Sequence, residues 1–164
     1  LIFLGMMGSG KSSIGFLVAK KLKLDFVDID NVIEKKLNTT IKKIFENEGE
    51  NYFRKIEEQT TLKKLKLNST VISLGGGAFM NKNIRQGVNK SHLSFWLNWN
   101  SKILIDRIKN STKRPLTFGA SDDELIDLIK KRSITYSKAL YEIKCDNLTK
   151  SQIVDNIIKI YETN

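Results

Sequence analysis

Eight consecutive residues, Gly5-Met6-Met7-Gly8-Ser9-Gly10-Lys11-Ser12, constrain this chain more than any other stretch. Their spacing is G-x-x-x-x-G-K-[ST]. The flanks give it a context. Apolar Leu1-Ile2-Phe3-Leu4 before it reads as a short buried strand, and Ile14, Leu17 and Val18 after it recur at helical spacing over Lys11 to Lys21. Gly5, Gly8 and Gly10 carry no Cβ, so the backbone between strand and helix can curl and turn its N–H groups inward. Those donors and the positive end of the helix suit phosphate oxygens. Lys11 adds a movable point charge for the outer phosphates. The Ser12 hydroxyl suits Mg²⁺. The competing reading, a plain glycine turn with a chance lysine, explains neither the spacing nor the flanks.

Strands and helices then alternate. Asp25-Phe26-Val27-Asp28, Val71-Ile72-Ser73-Leu74, His92 to Leu97 and Glu142 to Cys145 read as strands. Helical patterns run from Asn31 to Leu67 (with breaks near Asn38-Thr39 and Glu48-Gly49), Asn81 to Lys90, Lys102 to Lys109, Asp122 to about Leu140, and Gln152 to Tyr161. That alternation implies a parallel sheet covered on both faces, a three-layer α/β/α arrangement. With 164 residues and no linker, repeat or low-complexity segment, one domain over 1–164 is expected. Asn110 to Ser121 holds the single proline, Pro115, and is long enough for a functional loop; a lid over about 110–122 is expected there.

Charge and cysteine usage narrow the class. Lys+Arg number 28 against 18 Asp+Glu, a net charge of +10. The basic residues are spread along helix-like stretches such as Lys35-Lys36 and Lys130-Lys131, which reads as a solvated surface. An alternative of another class, a nucleic-acid-associated NTPase, lacks a basic tail or an aromatic–basic stripe. No run of about 18 apolar residues or signal peptide is visible, and Cys145 is the single cysteine, so a cytoplasmic setting is expected. His92, the lone histidine, and Cys145 read as structural.

A nucleotide site needs a carboxylate for its metal. The strand Val71 to Leu74 ends in Gly75-Gly76-Gly77, which leaves Asp28-Ile29-Asp30 at the end of the second strand. Two carboxylates two residues apart point the same way if the chain stays extended. One can face Mg²⁺ and the other an acceptor hydroxyl. Alternatively, one aspartate merely caps the helix starting near Asn31. Arg54 and Glu57 share a helix face at i,i+3, a spacing that by itself favours a surface pair. The glycine triplet exposes backbone N–H groups or is simply a flexible turn. Arg114, beside Pro115, could close over a nucleotide, and Arg132 lies four residues before Tyr136.

Together these elements resemble the shikimate kinase family over essentially the whole chain: Gly5 to Ser12, Phe26 to Asp30, Gly49-Glu50 with Phe53-Arg54 and Glu57, Val71 to Gly77, Arg114-Pro115-Leu116, and Arg132 with Tyr136. The resemblance implies a five-stranded parallel sheet of order 2-3-1-4-5. It also implies transfer of the ATP γ-phosphate to the 3-hydroxyl of shikimate. The implied nucleotide residues are Gly8, Ser9, Gly10, Lys11, Ser12, Ser13, Arg107 (stacked on adenine) and Arg114. Ser12 and Asp28 serve Mg²⁺. Asp30, Arg54, Gly76, Gly77 and Arg132 bind shikimate, and the substrate-binding region is placed at about 31–60. Asp30, Lys11 and Arg114 are the implied catalytic set. Two features depart from the family: Ser13 replaces a frequent Thr, and Asp146 to Lys150 does not match the usual adenine-contacting stretch. Gluconate kinase is the close alternative, since gluconate is also a hydroxylated carboxylate. Partners are expected to be shikimate and ATP, without nucleic acid or membrane, and nothing demands more than a monomer.

Overall fold

The computed structural model describes residues 1–110 and 120–164. Its strands are β1 (Ile2–Leu4), β2 (Asp25–Asp28), β3 (Thr70–Ser73), β4 (Ser94–Asn98) and β5 (Tyr141–Lys144). Its α-helices are α1 (Lys11–Leu22), α2 (Ile29–Leu37), α3 (Ile41–Lys64), α4 (Lys82–Ser91), α5 (Ser101–Lys109), α6 (Asp122–Tyr136) and α7 (Lys150–Glu162), and a 3₁₀ turn spans Ala78–Met80. The five strands form one parallel sheet of order β2-β3-β1-β4-β5, as expected.

Strand alternation divides the core in two. Ile2, Leu4, Ile72, Leu74 and Trp96 face one side, where Ile29 and Ile33 of α2, Phe53 of α3, Ile84 of α4, Leu104 of α5 and Leu125 of α6 cover them. Phe3, Val71, Phe95, Leu97 and Ile143 face the other, under Ile14 and Val18 of α1 and Ile153, Val154 and Ile157 of α7. Successive side chains of a strand point to opposite faces, so strands covered on both sides read as unbroken apolar runs. This is why the central strands were legible while the half-exposed β2 and β5 were fainter.

Several boundaries differ from the sequence reading, and three of them have a clear physical cause. β4 begins at Ser94 rather than His92, because the His92 amide still bonds the Val88 carbonyl and closes α4. The His92 ring reaches the Leu65 carbonyl at 2.9 Å, a structural role. α6 stops at Tyr136, where the Lys138 and Ala139 amides tighten onto Thr135 and Tyr136. The long helical stretch begins at Ile29, so β2 ends at Asp28 and Asp30 lies in the first turn of α2 rather than on an extended strand. Within α3, Gly49 sits at φ 81°, ψ 171° and kinks the helix. Only glycine adopts that conformation readily.

Candidate functional site at the carboxyl ends of the strands

The loop between β1 and α1 is shaped by glycine where the chain must turn left-handed: Gly8 has φ 83° and Gly10 φ 86°. Gly5 lies where a Cβ would meet the Leu97 carbonyl at 3.0 Å, so the loop is drawn tightly against β4. Helix α1 differs from its neighbours in one respect. A side chain accepts from the first turn of α2 (Asp28), α3 (Thr40), α4 (Asn81), α5 (Asn100), α6 (Ser121) and α7 (Thr149). Helix α1 starts at Gly10 with no side-chain cap and no acidic residue in its first turn. Its leading amides and dipole are thus left for an external anion. Lys11 is buried and its ammonium donates to the Gly5 and Met6 carbonyls, both at 2.9 Å. A cavity of about 260 Å³ opens beside it, bounded by Gly8, Gly10, Lys11, Ser12, Asp28 and Asp30.

Asp28 combines the two readings that the sequence set against each other. Its Oδ1 caps α2 by accepting from the Asn31 amide at 3.2 Å, and its Oδ2 accepts from the Ser12 hydroxyl at 2.5 Å. The cap turns the chain, and Asp30 then enters the crevice from the first turn of α2. Asp30 and Asp28 still act on each other. Burial first, and then the charges of Asp28 and Glu57, raise the Asp30 carboxyl to about 7 against the opposing pull of Lys11. Its Oδ1 is buried without a hydrogen-bond partner among the described residues.

The glycine triplet is the wall on which the remaining groups meet. A Cβ on Gly75 would lie 2.5 Å from Glu57 Oε1 and 2.7 Å from Asp30 Oδ1. One on Gly76 would approach the Met7 amide at 3.2 Å and Arg132 Nη1 at 3.8 Å. One on Gly77 would lie 2.5 Å from Arg54 Nη1. No side chain fits at Gly75 or Gly77 without displacing a charged group, so these two glycines answer a steric need and are more than a flexible turn. The Tyr136 hydroxyl donates to the Gly76 carbonyl at 2.5 Å, which secures the wall from α6. Burial pushes the Tyr136 phenol up to about 12, so it remains a donor at neutral pH.

Arg54 is held from two sides. Its Nη1 donates to Glu57 Oε2 at 2.6 Å, and its Nε and Nη2 to Glu50 Oε1 at 3.1 and 3.0 Å. Partial burial works against its charge, but Glu57 and Glu50 outweigh that and raise its pKa. Glu57 is only 2% exposed. Burial pushes its carboxyl upward, while Arg54 and Arg132 hold back part of the rise. Its Oε1 is the second orphaned carboxylate oxygen, aimed at the same place as that of Asp30. On α3, Glu57 follows Phe53 by four residues and precedes Thr60 and Thr61, all buried. A carboxylate on a buried helical stripe was the signal available for a residue that the sequence reading left as a member of a pair. A cavity of about 750 Å³ joins these groups: Arg54, Glu57, Gly75 to Gly77, Arg132 and, at the rim, Thr40 to Lys42 and Phe45. Met7, Ser12, Asp28, Asp30 and Gly76 line both cavities, so the two are continuous.

The structure therefore brings Lys11, Ser12, Asp28, Asp30, Arg54, Gly76, Gly77 and Arg132 to one crevice. Ser13 lines its phosphate end. Arg107 stands at the loop's outer side, its Nη1 3.4 Å from the Gly8 carbonyl and its guanidinium 3.8 Å from the centre of the Trp99 ring. Arg114 and most of the expected lid lie outside the described residues. Sequence reasoning passed over Trp99 altogether, because nothing in its spacing marks it.

A capless helix behind a glycine loop, beside a pocket of carboxylate and guanidinium groups, defines a phosphotransferase built on a P-loop. The family profile for shikimate kinase matches residues 7–162. A shikimate kinase from Thermodesulfovibrio yellowstonii is 38% identical over 163 residues, covering 99% of this chain and 94% of the relative. One from Bacillus subtilis is 37% identical over 171 residues, covering 97% of this chain and 87% of the relative. Among solved structures, shikimate kinase from Acinetobacter baumannii in complex with shikimate superposes with a TM-score of 0.94 at 28% identity, covering 99% of this chain and 92% of that one. The chain belongs to the shikimate kinase family.

Proposed function

We infer that this chain transfers the γ-phosphate of ATP to the 3-hydroxyl of shikimate, the reaction that feeds aromatic biosynthesis. The observation that carries the reading is the continuity of the two cavities. Lys11 and the uncapped α1 lie at one end, Arg54 and Arg132 at the other, and Asp30 between them.

Each group has a role that its surroundings support. The loop amides of Gly8 to Ser13 and the Lys11 ammonium bind the phosphates of ATP. Arg54, preset by Glu50 and Glu57, and Arg132 on α6 bind the substrate carboxylate, with the backbone of Gly76 and Gly77 beside them. Two guanidinium groups suit one planar carboxylate. Asp30 accepts a hydrogen bond from the attacking hydroxyl and holds its oxygen in line with the γ-phosphorus. A carboxyl near 7 can take the proton as the new O–P bond forms and ADP departs. Phosphoryl transfer is driven mostly by positioning and charge neutralisation, which this arrangement supplies.

Mg²⁺ fits the Ser12–Asp28 pair: one hydroxyl and one carboxylate, exposed at the phosphate end and already in contact. That is a small donor set, as suits an ion that keeps several waters and takes phosphate oxygens as further ligands. When bound there, the ion would neutralise charge on the β- and γ-phosphates. Arg114 is assigned to the phosphates from a lid at about 110–122, with about 31–60 as the substrate-binding region of a single domain. Arg107 is assigned to the base. We take the enzyme to act as a monomer. Among the described residues no helix is long and apolar enough to cross a membrane, and we place the enzyme in the cytoplasm, acting without nucleic acid.

ADP release measured with shikimate, quinate, gluconate, AMP and single-stranded DNA tests the reading. Turnover is expected with shikimate. Turnover with gluconate or AMP but not shikimate would overturn it.

A further inference from the structure

Trp99 follows β4 directly and sits where the two halves of the core meet, packed against both. Its indole N–H donates to the Ser9 carbonyl of the phosphate loop at 2.9 Å. One face of its ring carries the Arg107 guanidinium at 3.8 Å, and that guanidinium also reaches the Gly8 carbonyl. The ring is half-buried, whereas Arg107 is exposed. The next residue, Asn100, donates its amide to Asp146 Oδ1 at 2.6 Å and caps α5, so the backbone carrying Trp99 is tied to the turn after β5. Arginine side chains lose much rotamer freedom when they are fixed in one place. An exposed one holds a flat surface for a ligand only if something fixes it.

We propose that Trp99 is a positioning residue for the nucleotide base. The indole, oriented by Ser9, lays the Arg107 guanidinium flat, and its free face stacks on the purine of the nucleotide seated in the loop. An aromatic ring under a guanidinium is attracted through its quadrupole, and a planar cation accepts a second aromatic layer on its other side. The proposal rests on the nucleotide-site reading above.

Trp99→Leu removes the ring, and Trp99→Phe keeps a ring without the N–H. Shikimate-dependent ADP release should show the ATP KM rising roughly 3- to 30-fold for Trp99→Leu. The kcat and the shikimate KM should stay within about 2-fold, and Trp99→Phe should recover most of the loss. Inhibition by inorganic triphosphate, which has no base, should be unchanged in both variants. An unchanged ATP KM in Trp99→Leu overturns the proposal. So does a Phe variant as poor as the Leu variant, or triphosphate inhibition weakened in step with ATP, which would make Trp99 a mere buttress of the loop. If Trp99→Leu does not fold, Trp96→Phe leaves Trp99 as the sole tryptophan of the chain's two. ADP should then shift its emission, and inorganic triphosphate should not; equal responses to both would defeat the idea. Wild-type protein that neither binds ADP nor turns over shikimate would defeat the functional reading instead.

Discussion

The phosphate end and the acceptor end of the crevice are built on opposite principles. At the phosphate end one contiguous segment, Gly5 to Ser13, supplies nearly everything, and apart from the buried Ser9 hydroxyl its polar groups are largely settled by the fold. Lys11 has two carbonyl partners and α1 withholds only its leading amides. At the acceptor end four separate elements contribute: Asp30 from α2, Arg54 and Glu57 from α3, the glycines after β3, and Arg132 from α6. Two of their carboxylate oxygens are buried with no partner among the described residues. The loop works by shape, whereas the acceptor pocket keeps charge out of water in readiness for a hydroxylated anion. A buried polar group without a partner costs stability, so the pocket is where this fold gives up stability for function.

Substitutions can break that comparison. The largest effect is expected from Asp30→Asn, which should lower kcat by about 10²–10⁴-fold in ADP-release assays while ATP affinity by calorimetry stays near wild type. Normal turnover would remove Asp30 from the reaction. Lys11→Met strikes the other end. Losing one preorganised donor to the transferring group costs about 10²–10³-fold in kcat, and shikimate binding should survive. If shikimate affinity fell equally, the two ends would not be separable. Arg54→Ala should lower kcat/KM for shikimate roughly 10-fold or more, since one charge-assisted contact is worth about 1.5–3 kcal/mol, with little change in ATP KM. An unaltered kcat/KM would take Arg54 out of the pocket.

Two smaller effects concern stability rather than turnover. The Asp30 carboxyl moves from 3.8 to about 7 on folding. Between those values the folded chain binds more protons than the unfolded one, so stability falls as pH rises through that window. Its contribution is unfavourable above about 7 and vanishes below about 4. Asp30→Asn should therefore stabilise the unliganded chain at pH 8 by on the order of a few kcal/mol, read as a raised Tm, and by much less at pH 4.5. A Tm difference independent of pH would mean that Asp30 is not desolvated as described. Gly49→Ala should cost about 1–3 kcal/mol through backbone strain alone, because a Cβ there meets nothing within 4 Å. Unchanged denaturant midpoints would mean that the kink relaxes.

The same contrast explains what the sequence could say. The loop and the sheet order were readable because contiguous spacing and strand alternation are local signals. Asp28 and Asp30 were found for an incomplete reason. An extended strand was to aim both carboxylates, whereas in the structure Asp28 caps α2 and the helix aims Asp30. Glu57 and the crowding at Gly75 and Gly77 were hidden, because each depends on a neighbour distant in sequence: Gly75 on Asp30, Gly77 on Arg54. Trp99 carried no local mark, since its partners Ser9 and Arg107 meet it only once β4 lies beside β1.

The strand order has a consequence for how the molecule is made. Strand β1 occupies the middle of the sheet, bonded to β3 on one side and β4 on the other, so as the polypeptide leaves the ribosome its most apolar segment emerges with neither neighbour yet translated. It must wait for Thr70–Ser73 and then Ser94–Asn98 before both its edges are covered. Long-range pairing of this kind is slow and leaves strand edges open to association. Nascent chains truncated before Ser94 should recruit chaperones most strongly, and the dependence should fall on extension through Asn98 and disappear only once α7 covers the second face of β1.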